Sequence, residues 1–336
     1  MLQQAPVDLV QVPGAGRGLA AAQPLLQGTA VHTEKPMLCY PSTKHTGKVC
    51  HHCLTPLADA NHMLAQSKFC SSTCKQDAVS AYHSVESVLD LSPLLKYCQH
   101  YEERFPLLVA KAACMHLSQS FLPGERSQSN STTNSGAAGI PQGDVWQDYR
   151  FLTFARIPPP APPPWVETHA QLQTAITAFV KQQASQLSEW QHRLLTSAAA
   201  ELDLEWYTSM LARLHINSFR VDGVLMAGQQ HGLSLADMAS AAVTGQQHSS
   251  LGTAVYLLGS LFNHSCSPNL DVTFPANNST AEFVAARDID ISEQLSISYI
   301  DATMSYASRQ QQLEWAYGFR CTCDLCTEEI PQQKPI

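Results

Sequence analysis

The sequence predicts an α+β fold made of short strands toward its C-terminal end, a helical middle and two thiolate metal sites. Three observations carry this. Period-two alternation appears at residues 294–299, where Leu295, Ile297 and Tyr299 share one face of a half-buried strand. Helical spacing fills the middle, in Leu91, Leu94, Leu95 and Cys98, in Leu108, Ala112 and Met115, and in Trp206, Met210 and Leu214 beside Tyr207 and Leu211. Short-spaced cysteines occur twice. Cys50-x2-Cys53-x16-Cys70-x3-Cys74 is a complete four-thiolate grip, whereas Cys321-x-Cys323-x2-Cys326 supplies three thiolates and needs a fourth, for which Cys266 is the candidate.

Composition bounds the function. A chain of 336 residues, 44% hydrophobic and 14% charged, can bury the core of one large or two ordinary domains. The net charge of -8 and pI of about 5.9 oppose a phosphate-binding surface, so no nucleic-acid binding is expected and a basic protein or peptide is the better partner. No apolar stretch reaches transmembrane length, and Met1-Leu2-Gln3-Gln4 opens no signal peptide. These features imply no membrane partner and an intracellular place, in nucleus, cytoplasm or both. Eleven cysteines in such a chain favour metal thiolates over disulfides, because those compartments keep thiols reduced.

In chain order, the glycine-rich turn around Gly14, Gly16, Arg17 and Gly18 leads into Ala30-Val31-His32-Thr33, and alone it means a surface hairpin. The first cysteine set follows, then helices over 84–122. Cys39, Cys98 and Cys114 have no short-spaced partners and read as small core residues. Residues 123–147, rich in Ser, Thr, Asn, Gly and Gln, cannot bury enough apolar surface to order and read as a disordered insert. The proline run 158–164 reads as a polyproline II spacer, and helical spacing resumes over 166–215. After a polar stretch at 229–250 comes Asn263-His264-Ser265-Cys266-Ser267-Pro268-Asn269. Such a density of polar side chains marks a site rather than a core strand. Short strands at 270–274, 281–286 and 294–299 and a helix carrying Met304, Ala307, Gln311 and Trp315 complete the chain before Tyr317, Phe319 and the last cysteines.

The succession N-H-S-C-S-P-N, strand ending in tyrosine, then C-x-C-x-x-C resembles the SET domain of protein lysine methyltransferases with its post-SET zinc site. Cys266 inside the heptad narrows the likeness to the SET-and-MYND family and the short plant trithorax-related SET proteins. The resemblance implies an N-terminal SET segment at 1–48, a MYND-like finger at 49–87, a helical insert at 88–215 containing the polar insert 123–147 and the proline-rich 157–164, a SET core with a pseudoknot at 216–302, and a post-SET segment at 303–336. It implies S-adenosyl-L-methionine as cofactor, approached by Gly16, Arg17 and Gly18, by Asn217 in Ile216-Asn217-Ser218-Phe219, by Ser260, Asn263 and His264, and by Tyr299, Tyr317 and Phe319.

Two structural zinc ions are implied, one held by Cys50, Cys53, Cys70 and Cys74 and one by Cys266, Cys321, Cys323 and Cys326. The second MYND zinc is missing its ligands: 56–69 holds no cysteine, and Ser87 stands four residues after His83 where the family has cysteine. Ser292 replaces the glycine usual in the turn before the last strand, and it should strain that turn.

By resemblance the chain is a protein-lysine N-methyltransferase acting on a histone tail, histone H3 among the candidates, or on another protein lysine, with Tyr299 as its catalytic phenol. A SET-fold scaffold of little turnover and a methyltransferase of a non-histone protein are the alternatives. Retention of Tyr299, Asn263, His264 and Asn217 together favours the enzyme.

Overall fold

The computed structural model describes residues 5–57, 68–121, 149–150, 152–154, 157–225 and 248–330. The polar insert 123–147 and most of the polar stretch 229–250 lie outside the described residues.

Three small sheets organise the two ends of the chain among the described residues. The first is ordered β1 (Val7–Val12), β2 (Gly16–Ala21), β10 (Gln294–Ile297) and β7 (Asn263–His264). Its hairpin closes at Val12↔Gly16, with Gly14 and Gly16 at φ 77, a left-handed backbone that glycine adopts without penalty. β10 runs antiparallel to β2 and parallel to β7, pairing Leu295 with Leu19, Ser296 with Asn263 and Ile297 with His264. A late strand is thus inserted between an early hairpin and the polar heptad, which brings residues far apart in sequence side by side.

The second sheet is ordered β3 (Ala30–Glu34), β9 (Ala281–Ala285) and β8 (Leu270–Thr273), and the third β4 (Leu38–Pro41), β6 (His248–Val255) and β5 (Ser218–Val224). Their inner faces bury Leu19, Val31, Tyr256, Phe262, Phe283, Leu295 and Ile297 in one core. The strand expected over 294–299 ends at Ile297, and Tyr299 follows in a bend, since the chain must leave the sheet to reach the last helices. Ser292 sits at φ 65, the left-handed conformation that its glycine-like position demands.

A second core belongs to the helices. α1 (Ser72–Ala78) runs through a π-type turn into Ser84–Glu86, followed by α2 (Ser92–His100), α3 (Phe105–Phe121), α4 (Pro163–Gln183), α5 (Glu189–Ala200) and α6 (Leu204–Asn217). They bury Leu94, Cys98, Leu108, Ala112, Tyr207 and Leu211 against α3. Ser188 and Gln191 form a capping box on α5, and the Asp203 carboxylate accepts the Trp206 N–H at the start of α6. The proline run is not a spacer throughout: Pro163 and Pro164 open α4, where a missing N–H costs nothing. Cys39, Cys98 and Cys114 are buried, and burial raises all three thiols, which fits packing rather than reactivity.

The segment carrying the first cysteine set leans on this core through a buried polar network. His51 Nε2 donates to Glu86 Oε1 at 2.8 Å and His83 Nδ1 to Glu86 Oε2 at 3.0 Å, while Lys111 Nζ donates to the carbonyls of Cys39 and His51, each at 2.8 Å. Burial alone would raise the Glu86 carboxyl, but its bonds to His51 and His83 outweigh that and hold it far below the ordinary range. Helix α7 (Tyr306–Tyr317) and the short α8 (Asp324–Glu328) complete the chain. α7 buries Arg309, Gln310 and Leu313, and it leaves Trp315 87% exposed.

Candidate functional site

Segments from the two halves of the chain meet beside the first sheet. At Gly18 an added Cβ would stand 2.5 Å from Asn263 Nδ2 and 2.9 Å from Val12 Cγ2, so a larger residue there would push these side chains aside. Asn263 Nδ2 donates to the Arg17 carbonyl at 3.3 Å across that contact. The turn Gly259–Leu261 precedes Asn263, and its Ser260 Oγ donates to the Asn217 carbonyl at 3.3 Å. Asn217 ends α6, and its buried amide donates to the carbonyls of Arg213 at 2.9 Å and Thr153 at 2.7 Å. Gly18, Asn217, Ser260 and Asn263 thus converge.

Aromatic rings close the other side. Tyr299 lies 5.3 Å from the His264 ring and 4.9 Å from Tyr317, and Phe319 lies 6.0 Å from His264 and 6.4 Å from Tyr317. The Tyr299 hydroxyl donates to the Phe262 carbonyl at 2.7 Å. Burial, followed by neighbouring Tyr317, raises its pKa well above that of an ordinary phenol, so it is neutral at pH 7 and cannot be a base there. Its proton is committed to Phe262, and its oxygen lone pairs remain to accept. The Tyr317 hydroxyl donates to the Tyr299 carbonyl at 3.4 Å, and burial raises it too.

His264 connects this cluster to the cysteines. Its Nδ1 accepts the Tyr299 N–H at 3.0 Å, which places the imidazole proton on Nε2, 3.2 Å from Cys266 Sγ. Burial and the charge of Arg309 lower its pKa to about 4, so the ring is neutral at pH 7.

Both cysteine sets come together. Within each set the four sulfurs lie within 4.8 Å of one another. Cys53 to Cys70, Cys70 to Cys74 and Cys326 to Cys266 are 3.5 Å apart, and Cys74 to Cys53 is 3.7 Å. Tetrahedral zinc with bonds of about 2.3 Å spaces its sulfurs by roughly 3.8 Å, whereas a disulfide needs about 2.05 Å. The thiols fit zinc, and four ligands per ion leave no position for a reacting water. In the second set, Arg309, only 2% exposed, donates to Cys326 Sγ at 3.7 Å, to Glu329 at 2.6 Å and to the Met304 carbonyl at 2.7 Å. Its charge offsets part of the formal charge of about -2 that four thiolates leave on zinc.

A family model described as "SET domain" matches residues 16–300. The chain belongs to the SET-domain family. Among relatives of this SET protein, "Histone-lysine N-methyltransferase ATXR4" of Arabidopsis thaliana is 28% identical over 330 residues, covering 96% of this chain and 86% of that protein. A "SET and MYND domain-containing protein" of Dictyostelium discoideum is 24% identical over 311 residues, covering 89% and 77%. "Protein-lysine N-trimethyltransferase SMYD5" of Mus musculus is 37% identical over 91 residues, covering 26% and 22%. A crystal structure of the SET domain of LSMT bound to lysine and AdoHcy aligns with 96% of this chain and 54% of that one, at 15% identity and a TM-score of 0.36.

The cofactor of SET methyltransferases is S-adenosyl-L-methionine, and the chemistry of this SET domain's site fits it. The Gly18 backbone packs against the Asn263 side chain, and the Ser260 hydroxyl meets the Asn217 carbonyl. The faces of Tyr299, Tyr317 and Phe319 beside a neutral His264 suit a sulfonium cation.

Three residues of the site escaped the sequence reading. Glu34 accepts the N–H groups of Leu257, Leu258 and Gly259 at 2.7, 3.2 and 3.0 Å. Asn269, the last residue of the heptad, donates to Glu293 and the Gln294 carbonyl and accepts the Ser296 N–H, which locks β10 to the heptad. Arg309 is the third. Asn269 lay inside a recognisable motif, whereas nothing around Glu34 or Arg309 marks either locally.

Proposed function

We propose that this SET domain is an S-adenosyl-L-methionine-dependent protein-lysine N-methyltransferase whose catalytic phenol is Tyr299. The observation that carries the reading is the meeting of Gly18, Asn217, Ser260 and Asn263 with the Tyr299, Tyr317 and Phe319 rings, the Tyr299 hydroxyl being fixed on the Phe262 carbonyl. Gly16, Arg17, Gly18, Asn217, Ser260, Asn263 and His264 would hold the cofactor. When bound, it supplies an electrophilic methyl group on a sulfonium.

The residues then have two tasks. The lysine amine must arrive neutral, and stripping its proton at pH 7 from a pKa near 10.4 costs about 4.6 kcal/mol. Burial between Tyr299, Tyr317 and Phe319 desolvates an ammonium there, and that lowers its pKa. Tyr299 offers lone pairs to orient the amine without taking its proton, because its own proton is spent on Phe262. The ring walls hold the line of attack, the larger part of what a bimolecular transfer needs. Zinc in both cysteine sets is structural.

The substrate in this proposal is a lysine in a basic segment such as a histone tail, supported by the net charge of -8 and by relatives named as histone-lysine methyltransferases. Nucleus and cytoplasm are the compartments that go with such a substrate. No helix among the described residues is long and apolar enough to cross a membrane.

Incubation of the zinc-loaded protein with methyl-labelled cofactor and a core-histone mixture tests the reading. Label on lysine, accumulating at least tenfold more slowly with Tyr299→Phe, is the expected result. A folded, cofactor-binding protein that labels neither histones nor a cell extract would overturn it.

A further inference from the structure

We propose that Glu34 is a positioning residue for the cofactor site, acting through the backbone N–H groups of Leu257, Leu258 and Gly259. The inference rests on the methyltransferase reading. Glu34 ends β3, is 7% exposed, and pairs with no Lys or Arg among the described residues; the His32 ring lies beside it, with Nε2 at 3.5 Å. A buried carboxylate is costly unless donors satisfy it. Here Oε1 accepts from Leu257 and Leu258 and Oε2 from Gly259, across more than two hundred residues of sequence.

These three donors enter the turn Gly259–Leu261, which carries Ser260 and delivers Phe262, Asn263 and His264. Its path is held from two sides. At Gly259 an added Cβ would lie 2.6 Å from Phe283 Cζ and 2.9 Å from Tyr256 Cβ, so the backbone is pressed flat on the core, while Glu34 grips its N–H groups. Every contact that this segment makes with the rest of the site follows from that placement. Ser260 meets the Asn217 carbonyl, the Phe262 carbonyl meets the Tyr299 hydroxyl, and Asn263 meets the Arg17 carbonyl. One carboxylate therefore sets the register between the three segments proposed to hold the cofactor. Tyr256, Phe262 and Phe283 remain buried against one another without it, so its loss should loosen the site before it unfolds the domain.

The test compares wild type, Glu34→Gln and Glu34→Asp by calorimetric titration with S-adenosyl-L-methionine, with zinc content and Tm measured on the same samples. Glu34→Gln keeps the size and one acceptor but turns an NH2 toward the remaining N–H. It should raise the Kd about tenfold, the worth of a hydrogen bond to a charged group, with zinc retained and Tm little changed. Glu34→Asp keeps the charge at shorter reach and should restore part of the affinity. A Kd within twofold of wild type for Glu34→Gln would overturn the proposal. So would loss of zinc and folding in both variants, which would make Glu34 a residue of the fold alone. Wild type that fails to bind the cofactor is a distinct result, and it removes the methyltransferase reading together with this inference.

Discussion

Replacing Tyr299 by Phe removes one oxygen and leaves the ring between His264 at 5.3 Å and Tyr317 at 4.9 Å. The lost group is a donor to the Phe262 carbonyl at 2.7 Å. Stability should therefore fall by only about 1 kcal/mol, the net value of a hydrogen bond, or about 3 kcal/mol if Phe262 finds no new donor. Catalysis should lose the acceptor that orients the amine, worth about 1.4 to 2.7 kcal/mol, which is roughly 10- to 100-fold in the transfer rate. Single-turnover transfer from methyl-labelled cofactor, with cofactor affinity by calorimetry, separates the two effects. The expected result is a slowed transfer at unchanged Kd. The pH profile adds a check. Because the Tyr299 phenol is raised above its usual value, it stays protonated between pH 7 and 10, and the variant's profile should rise with pH in parallel with wild type. An unslowed variant, or one whose profile loses a rising limb, would refute the assigned role.

Further outcomes follow from other parts of the site. Gly18→Ala drives a methyl group to 2.5 Å from Asn263 Nδ2, and the overpacking should weaken cofactor binding about tenfold without releasing zinc, read by calorimetry and metal analysis. Arg309→Met should speed zinc loss from the post-SET cysteines to a chromogenic chelator about tenfold and leave the finger's release unchanged. Glu86→Gln removes the charge and one of the two oxygens that accept from His51 and His83, and should cost about 3 kcal/mol in denaturant unfolding at pH 7. The Glu86 carboxyl lies below its unfolded value, so its stabilising share is present above about pH 4.3 and is lost as pH falls; the gap between wild type and variant should narrow in acid.

Much of this arrangement was legible because its signals are local. Cysteine spacing exposed the finger, and the heptad exposed Asn263 and His264 together with Cys266, whose partners lie more than fifty residues away. Period-two alternation put Leu295 and Ile297 in the core, and the serine where relatives have glycine forecast a strained turn, which the φ of 65 at Ser292 bears out. What stayed hidden depends on contacts between distant segments. Glu34 serves donors more than two hundred residues later, and the buried Arg309 answers charges that exist only once the cysteines gather. The network of His51, Glu86, His83 and Lys111 stands beside the first cysteine set, and no spacing rule connects its four members. Pro163 and Pro164 misled for a different reason. Proline is as well suited to the first turn of a helix as to an extended spacer, and only the packed face of α4 decides between them.

The central claim is that these converging segments form a cofactor site, and calorimetric titration of S-adenosyl-L-methionine into the zinc-loaded chain and into Asn263→Ala tests it most directly. Metal analysis on the same wild-type sample should find about two zinc ions per chain, one for each four-cysteine set. Saturable binding by wild type, abolished or weakened at least tenfold in Asn263→Ala, is the result the account predicts. A folded, zinc-loaded wild type that shows no saturable binding would contradict it.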